Sequence, residues 1–357
     1  MTRRKFLKAI ALTTTAIVGG AIGWLKLYNP ANYYYRGPIS DHFDGMFFFN
    51  PNGKTPGKFS DLLKWKLFEK GETWPENWPS PFDGAKPEAR VTGRDLKITM
   101  VGHACLLIQC EGLNFLTDPV YSDRASPVSF AGPKRVNPPG IRFEDLPLID
   151  YVLLSHNHYD HLDVATLKRL VKTHDPQIIC PLGNDTIISA SVPQARFIIG
   201  DWEEIHALKN NIKIHFEPCH HWSARGAKDR RMALWAAFII ETPNGKIYHV
   251  GDTGFHDGIN YRAMAEKHGP MRAAILPIGA YEPRWFMRYQ HQNPDEAVQG
   301  AILCKAQTCI GHHWGTFQLT NEAIDAPEKA LKTALDTHGF DESRFLAPRP
   351  GETVTIA

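Results

Sequence analysis

The chain has 357 residues, 43% of them apolar and 22% charged. That is enough for one large or two ordinary domains around a sizeable core, and far from the composition of a disordered chain. The formal net charge of +2 gives no electrostatic basis for nucleic acid as a partner, and that class of function is set aside.

Thr2-Arg3-Arg4-Lys5-Phe6-Leu7-Lys8 has the twin-arginine export pattern. An apolar stretch follows from Ala9 to Leu25, diluted by threonine and glycine and short for a spanning helix. No clean small-x-small cleavage site comes after it. Residues 1–28 are therefore set apart from the fold as a signal, either cleaved or kept as an anchor, with the protein periplasmic or held at the inner membrane. Residues 29–94 are rich in aromatics, proline and glycine, as in Tyr33-Tyr34-Tyr35, Phe47-Phe48-Phe49 and Trp74 to Trp78. They read as irregular chain packed over the core, with one helix near Ser60 to Glu69. The alternative is a lipid-facing surface, since aromatics favour the membrane interface.

From residue 95 to 357 strands and helices alternate. Strands are predicted at Lys97 to Val101, Cys105 to Cys110, Leu113 to Leu116, Tyr151 to Ser155, Gln177 to Cys180, Arg196 to Ile199 and Trp235 to Glu241. Helices are predicted at Leu162 to Thr173, Asn184 to Ala190, Tyr261 to His268, Pro294 to Cys304 and Pro327 to Thr337, with both prolines at first-turn positions. The class is α/β.

After the Tyr151 run comes Ser155-His156-Asn157-His158-Tyr159-Asp160-His161-Leu162-Asp163. In an extended segment His156 and His158 leave on the same face and can pinch one ion. Asp160 and His161 then face a second point as the chain turns into a helix capped by Asp163. Imidazoles and a carboxylate with no thiolate suit zinc. Three further runs end in candidate ligands at strand–loop junctions: Lys213 to Trp222 with His221, Lys246 to Gly254 with Asp252, and Thr308 to Gly315 with His313. A pair of cations bridged by a carboxylate is the expected hydrolytic geometry.

Asp118 in Leu116-Thr117-Asp118-Pro119, then the His156 to His161 motif, His221, Asp252 and His313, resemble the ordered motifs of the metallo-β-lactamase superfamily. One branch is matched further, by Gly102-His103-Ala104, Gly132-Pro133-Lys134-Arg135, Leu276 to Met287 and His313-Trp314-Gly315-Thr316-Phe317. It is the N-acylphosphatidylethanolamine-hydrolysing phospholipase D family, and the resemblance covers residues 95 to 350. It implies an αββα sandwich, two mixed sheets with helices outside. It implies two Zn2+ ions: His156, His158 and His221 on one, Asp160, His161 and His313 on the other, and Asp252 bridging. Asp118 would orient the cluster without binding metal. Gln290 and His291 would face the substrate phosphate, and Asp160, Asp252 and His291 are the catalytic candidates. His221 and His313 are preferred over their neighbours His220 and His312, because Trp222 and Trp314-Gly315 follow them.

The resemblance also implies the chemistry, metal-assisted hydrolysis of a phosphodiester in a phospholipid. The products would be N-acylethanolamine and phosphatidic acid; a membrane surface is the expected partner and a homodimer the implied assembly. Another hydrolase of the same fold, such as a lactonase, is the first alternative. A di-iron protein is disfavoured by a histidine at 158, and a non-enzymatic envelope or lipid-binding protein with a structural metal site is the remaining one. The six cysteines, 105, 110, 180, 219, 304 and 309, are expected as buried free thiols, since Cys105 and Cys110 would point to opposite faces of one strand. Cys219 is expected to pack near the metals without binding them.

Overall fold

The computed structural model describes residues 31–54 and 57–357; the export pattern and apolar stretch of residues 1–28 lie outside the described residues. The strands, in chain order, are β1 (Leu96–Gly102), β2 (Cys105–Cys110), β3 (Leu113–Thr117), β4 (Tyr151–Leu153), β5 (Gln177–Pro181), β6 (Arg196–Gly200), β7 (Ile205–Ala207), β8 (Lys213–Glu217), β9 (Ala237–Thr242), β10 (Gly245–His249), β11 (Ala273–Pro277), β12 (Thr308–His312), β13 (Phe345–Leu346) and β14 (Thr353–Ile356). Among the described residues they form two seven-stranded sheets, ordered β14-β1-β2-β3-β4-β5-β6 and β13-β12-β11-β10-β9-β8-β7. Both sheets are mixed. The first is antiparallel from β14 to β3 and parallel from β3 to β6; the second is parallel from β13 to β10 and antiparallel from β10 to β7.

The helices are α1 (Phe59–Phe68), α2 (Val164–His174), α3 (Asn184–Ser189), α4 (Ile259–His268), α5 (Arg284–Met287), α6 (Pro294–Leu303) and α7 (Ala326–His338). Leu96, Ile98, Leu106, Phe216, Phe238 and Ile275 interleave between the two sheets. Leu167, Leu170 and Val171 of α2 pack on the outer face of the first sheet with Leu107, Leu116 and Val152. Tyr261 and Met264 of α4, Val298 of α6 and Leu331 of α7 cover the outer face of the second. This is the αββα sandwich. Every residue of β2 is buried, as a strand covered on both faces must be.

Local chemistry sets the helix ends. The Asp163 carboxylate accepts the backbone N–H groups of Ala165 and Thr166 at the start of α2, and burying Leu167 and Leu170 behind it is worth about 1.5–3 kcal/mol each. Asn293 and Glu296 form a capping box around Pro294 at the start of α6.

Some expectations shift. The run expected to stay extended to His221 stops at Glu217, because Pro218 has no N–H to give a ladder. Cys219 therefore leaves the strand and packs in the core with Trp235 and Tyr248. Strands β7, β11, β13 and β14 were not predicted. All six cysteines are buried free thiols, with Cys105 on the helix side of the first sheet and Cys110 between the sheets.

Ahead of the sheets, Phe43 and Phe48 insert into the core, ring centroids 4.6 Å apart. Among residues 60–68 of α1, Trp65 is buried and the others are half-buried or exposed. Among the described residues no helix is long and apolar enough to cross a membrane.

Parallel direction brings the C-terminal ends of β3, β4, β8, β10 and β12 to one edge of the sandwich. Asp118 follows β3, His156 and His158 follow β4, His221 follows β8, Asp252 follows β10 and His313 follows β12.

Candidate metal centre

The sharp loop after β4 turns His156 and His158 toward each other, with Nε2 of His156 2.9 Å from Nδ1 of His158. The loop after β8 adds His221, whose Nε2 is 3.1 Å from the same Nδ1. A second group forms beside the first. Asp160 Oδ2 lies 3.4 Å from His161 Nε2 and 3.2 Å from His313 Nε2. Asp252 Oδ2 stands between the groups, 3.2 Å from His161 Nε2, 3.1 Å from His313 Nε2, 3.7 Å from His221 Nε2 and 3.9 Å from His156 Nε2. All seven residues proposed as ligands from the sequence thus converge on one place. Neither His220 nor His312 joins them. His220 lies tilted against His256, ring centroids 4.0 Å apart, and meets Asn260, and His312 is buried beside His249.

The hydrogen bonds behind the cluster decide which ring nitrogens face inward. Asp118 accepts the Ser155 backbone N–H at Oδ1 (2.7 Å) and, at Oδ2, the Ser155 hydroxyl (2.6 Å) and the His161 Nδ1–H (2.8 Å). With its proton given to Asp118, the Ser155 oxygen accepts from His156 Nδ1 at 2.9 Å. His221 Nδ1–H donates to the backbone carbonyl of Gln290 at 3.0 Å. Each of these rings is left with a bare Nε2 lone pair aimed into the centre. His156 Nε2 and His221 Nε2 both point at Nδ1 of His158, at 2.9 and 3.1 Å; one proton on Nδ1 can serve only one of them, whereas a cation would serve all three nitrogens. The spacing is close to the edge of a tetrahedron around a metal at about 2.0–2.1 Å, which is about 3.3 Å. Asp252 Oδ1 and His161 Nε2 are buried with no hydrogen-bond partner, which a cation would also supply. The residues fit a metal centre.

Protons and metal compete for the same lone pairs. Burial pushes His158 down to about 3 and His221 to about 4, leaving them neutral donors. Burial and the neighbouring His161, His221 and His158 hold His156 far below the ordinary value. Burial also opposes charge on His313, but Asp252 and Asp160 outweigh it and raise that ring to about 9. His161 is raised likewise by Asp252, Asp160 and Asp118 against its burial. Burial favours neutral carboxyls at Asp160 and Asp252; His161 and the other imidazoles overcome it and hold both far below the carboxylate range.

Three contributors lacked a readable role in the sequence. His103, in the turn between β1 and β2, places Nε2 3.0 Å from Asp160 Oδ2 and its ring 4.1 Å from that of His313. Asp118, His103 and His313 all hold positive φ (33°, 58° and 65°), a region costly for residues with side chains. The His313 N–H to His103 carbonyl bond (2.9 Å) and the His103 N–H to Thr316 Oγ1 bond (3.1 Å) hold two of them there. Ser155 and the Gln290 carbonyl complete the support. The Gly102-His103-Ala104 match was the one sequence signal for His103; a backbone carbonyl such as that of Gln290 carries no sequence signal.

The centre opens into a cleft of about 670 Å3 lined by Leu62, Trp65, Trp222, Phe286, Met287 and Leu319, with His158, Asp160 and Asp252 on its floor. Gln290 and His291 line it as well. His291 Nδ1 is 3.9 Å from Asp252 Oδ2 and, like Gln290 Oε1, is buried without a partner.

An αββα sandwich with a buried His/Asp cluster at its strand ends defines a hydrolase of the metallo-β-lactamase superfamily, and the Beta-lactamase superfamily domain family matches residues 113–314. Two solved structures share the fold. A metallo hydrolase of Ignicoccus hospitalis has TM-score 0.54 at 20% identity, over 74% of this chain and 99% of that one. An isothiocyanate hydrolase from Delia radicum gut bacteria has TM-score 0.55 at 20% identity, over 72% and 98%. Nearer in sequence is the N-acyl-phosphatidylethanolamine-hydrolyzing phospholipase D 1 of Caenorhabditis elegans, 39% identical over 87% of this chain and 92% of the relative. Within the superfamily, the chain belongs to the N-acylphosphatidylethanolamine-hydrolysing phospholipase D family.

Proposed function

We propose that the chain is a dinuclear zinc phosphodiesterase of the phospholipase D type. It would cleave N-acylphosphatidylethanolamine-type phospholipids to N-acylethanolamine and phosphatidic acid. The observation that carries the reading is the union of an apolar cleft with a buried centre of five histidines and two aspartates on its floor. The name of the Caenorhabditis relative supports the substrate class.

His156, His158 and His221 would hold one ion, Asp160, His161 and His313 the other, and Asp252 both; the donor set suits zinc. When bound, the ions supply Lewis-acid polarisation of phosphoryl oxygens and lower the pKa of water. The chain does the rest. The Leu62, Trp65, Phe286 and Met287 walls accept acyl chains and exclude water. Gln290 and His291 present an amide and an imidazole at the floor, placed to hold phosphate oxygens, with His291 Nδ1 able to carry a proton at the reacting end. Asp160 and Asp252 stay ionised and accept hydrogen bonds from the water that attacks phosphorus. Export by the twin-arginine route, to the periplasm or to an inner-membrane anchor, belongs to the same reading and rests on residues 2–8.

The test pairs metal analysis with turnover on the purified chain. N-acylphosphatidylethanolamine, phosphatidylcholine and a generic phosphodiester are the substrates. About two zincs per chain and release of N-acylethanolamine, lost in His313→Ala, is the expected result. Hydrolysis of the generic ester alone discards the lipid substrate and selects another hydrolase of this fold.

A further inference from the structure

The loop after His221 carries cations that no acid balances. Lys228, Arg230 and Arg231, with Lys58 just ahead of α1, line a pocket of about 350 Å3 whose other walls are Phe47, Gly57 and Ala227. Among the described residues none of the four pairs with a carboxylate, and the acids beside them are engaged. Asp229 accepts the backbone N–H groups of Arg225 and Gly226 and the Tyr34 hydroxyl. Asp44 accepts the N–H groups of Met46 and Phe47, and Asp61 that of Lys58. What holds the arginines is uncharged. Arg230 Nη2–H donates to the Gly57 carbonyl at 3.0 Å, and its guanidinium lies 4.5 Å from the Trp222 ring centre. The Arg231 guanidinium lies 5.1 Å from the Phe47 ring centre.

Both arginines are half-buried. Burial lowers the Arg230 guanidinium below its ordinary value and neighbouring Arg231 adds to the effect; burial lowers Arg231 as well, against Asp44. Arg231 also holds a φ of 61°, a region costly for a residue with a side chain. Its N–H to the Ser223 carbonyl and its carbonyl from the Phe48 N–H, both 2.7 Å, fix it there. Like charges kept in one pocket at such a cost are relieved by an anion among them. Position says which anion. Gly57, Lys58, Ala227 and Arg230 line both this pocket and the cleft that ends at the metal centre. The Trp222 ring that carries Arg230 also meets the His158 ring, centroids 4.5 Å apart. An acyl chain gains nothing among four cations, whereas phosphate matches the arginine forks. The pocket therefore suits the polar end of a phospholipid, the head group, which is the part that leaves in cleavage of the phospholipase D type.

We propose that this pocket is a subsite for a second phosphate, carried on the leaving head group, so that the substrates include phospholipids with a glycerol phosphate head group. The inference rests on the phosphodiesterase reading above and widens its head group. The oxygen of water bonds to phosphorus, the P–O bond to the head-group alcohol breaks, and one proton of the water ends on that alcohol. Phosphatidic acid and glycerol phosphate are the products. The experiment compares phosphatidylglycerophosphate with phosphatidylglycerol, lipids that differ by one phosphomonoester and break at the same bond. Both are diluted to equal mole fraction in micelles of a nonionic detergent, with N-acylphosphatidylethanolamine as reference. The full metal-loaded chain is set against Lys228→Gln/Arg231→Gln; neither residue lines the cleft. Calorimetric titration with glycerol 3-phosphate reads the pocket without turnover.

In the wild type, kcat/KM should favour phosphatidylglycerophosphate by about tenfold or more. The variant should lose that preference and bind glycerol 3-phosphate about tenfold or more weakly. Should the double variant melt at a lower temperature, Lys228→Glu, at an exposed position, carries the test through the same ratio. Equal kcat/KM for the two lipids in the wild type would overturn the proposal, as would a preference that survives in the variants. Glycerol 3-phosphate binding that depends on Lys228 and Arg231 without any lipid preference would also overturn it, making the pocket a site for a free phosphate ester. If no lipid is hydrolysed, the phospholipase reading falls, and the titration alone then decides whether the pocket takes a phosphate.

Discussion

Replacing Asp118 with asparagine changes one atom in the support of the metal centre and, with it, the direction of two histidines. The carboxylate accepts three donors, the Ser155 N–H, the Ser155 hydroxyl and His161 Nδ1–H. An amide keeps the volume but turns one acceptor into a donor. With its oxygen toward the Ser155 N–H, its NH2 group confronts the hydroxyl and His161 Nδ1. His161 must then accept at Nδ1 and carry its proton on Nε2, the atom 3.2 Å from Asp252 Oδ2. The Ser155 hydroxyl, now an acceptor from the amide, turns its own proton toward His156 Nδ1 at 2.9 Å and reverses that ring as well. The opposite amide orientation sets two donors face to face in a site with no water contact. Losing one hydrogen bond to a charged group costs about 1.5–3 kcal/mol of stability. Misdirecting the ligands should lower metal affinity by about 10–100-fold or more. Urea unfolding of the metal-free chain measures the first, and competition with a chromophoric chelator the second. An Asp118→Asn protein that binds metal like the wild type would refute the tautomer argument, whatever its stability.

His103→Ala removes the 3.0 Å contact to Asp160 Oδ2; metal affinity should fall by roughly 10–100-fold in the same competition assay, and a wild-type affinity would make His103 mere packing. His291→Ala should lower kcat on a phosphodiester by about 100-fold or more at unchanged metal content; a small effect on kcat with a raised KM would instead limit His291 to binding. His42 tests a group remote from the centre. Burial opposes its charge, but Asp201 (2.7 Å) and Asp41 (2.6 Å) outweigh burial and raise it above its ordinary 6.5. A raised pKa in the folded state gives stability that is complete below 6.5 and lost as pH rises through the folded value. The gap in unfolding free energy between wild type and His42→Gln should therefore be widest near about pH 6 and narrow toward about pH 9; a constant gap would remove the ion pairs from the account.

How much of the centre could be read without the fold depends on how far apart its parts lie. His156, His158, Asp160 and His161 sit in one short run, where local backbone geometry alone sends successive side chains to two neighbouring points, and Asp163 shows as a cap because its carboxylate reaches N–H groups two and three residues on. His221, Asp252 and His313 were legible as polar residues at the ends of apolar runs. The choice of His221 over His220 became a geometric fact with the loop after β8, since one residue of rotation sends the neighbouring ring to His256. The extended run expected to reach His221 ended at Glu217 for a local reason, the missing N–H of Pro218. The short strands β7 and β13 are below the length at which periodicity speaks, and β14 exists through its pairing with β1 across most of the chain.

The amino-acid sequence by itself determined which donor side chains are offered in the His156 to His161 run, because residue type and close spacing are covalent facts. Only the tertiary structure decided the support and the access. Asp118, Ser155 and the Gln290 carbonyl select the inward ring nitrogen through hydrogen bonds between segments up to 69 residues apart. Helix α1 reaches the cleft mouth through Trp65 and Asn321, which lie 256 residues apart in the chain. Such contacts follow from strand order and layer packing, which no local pattern encodes.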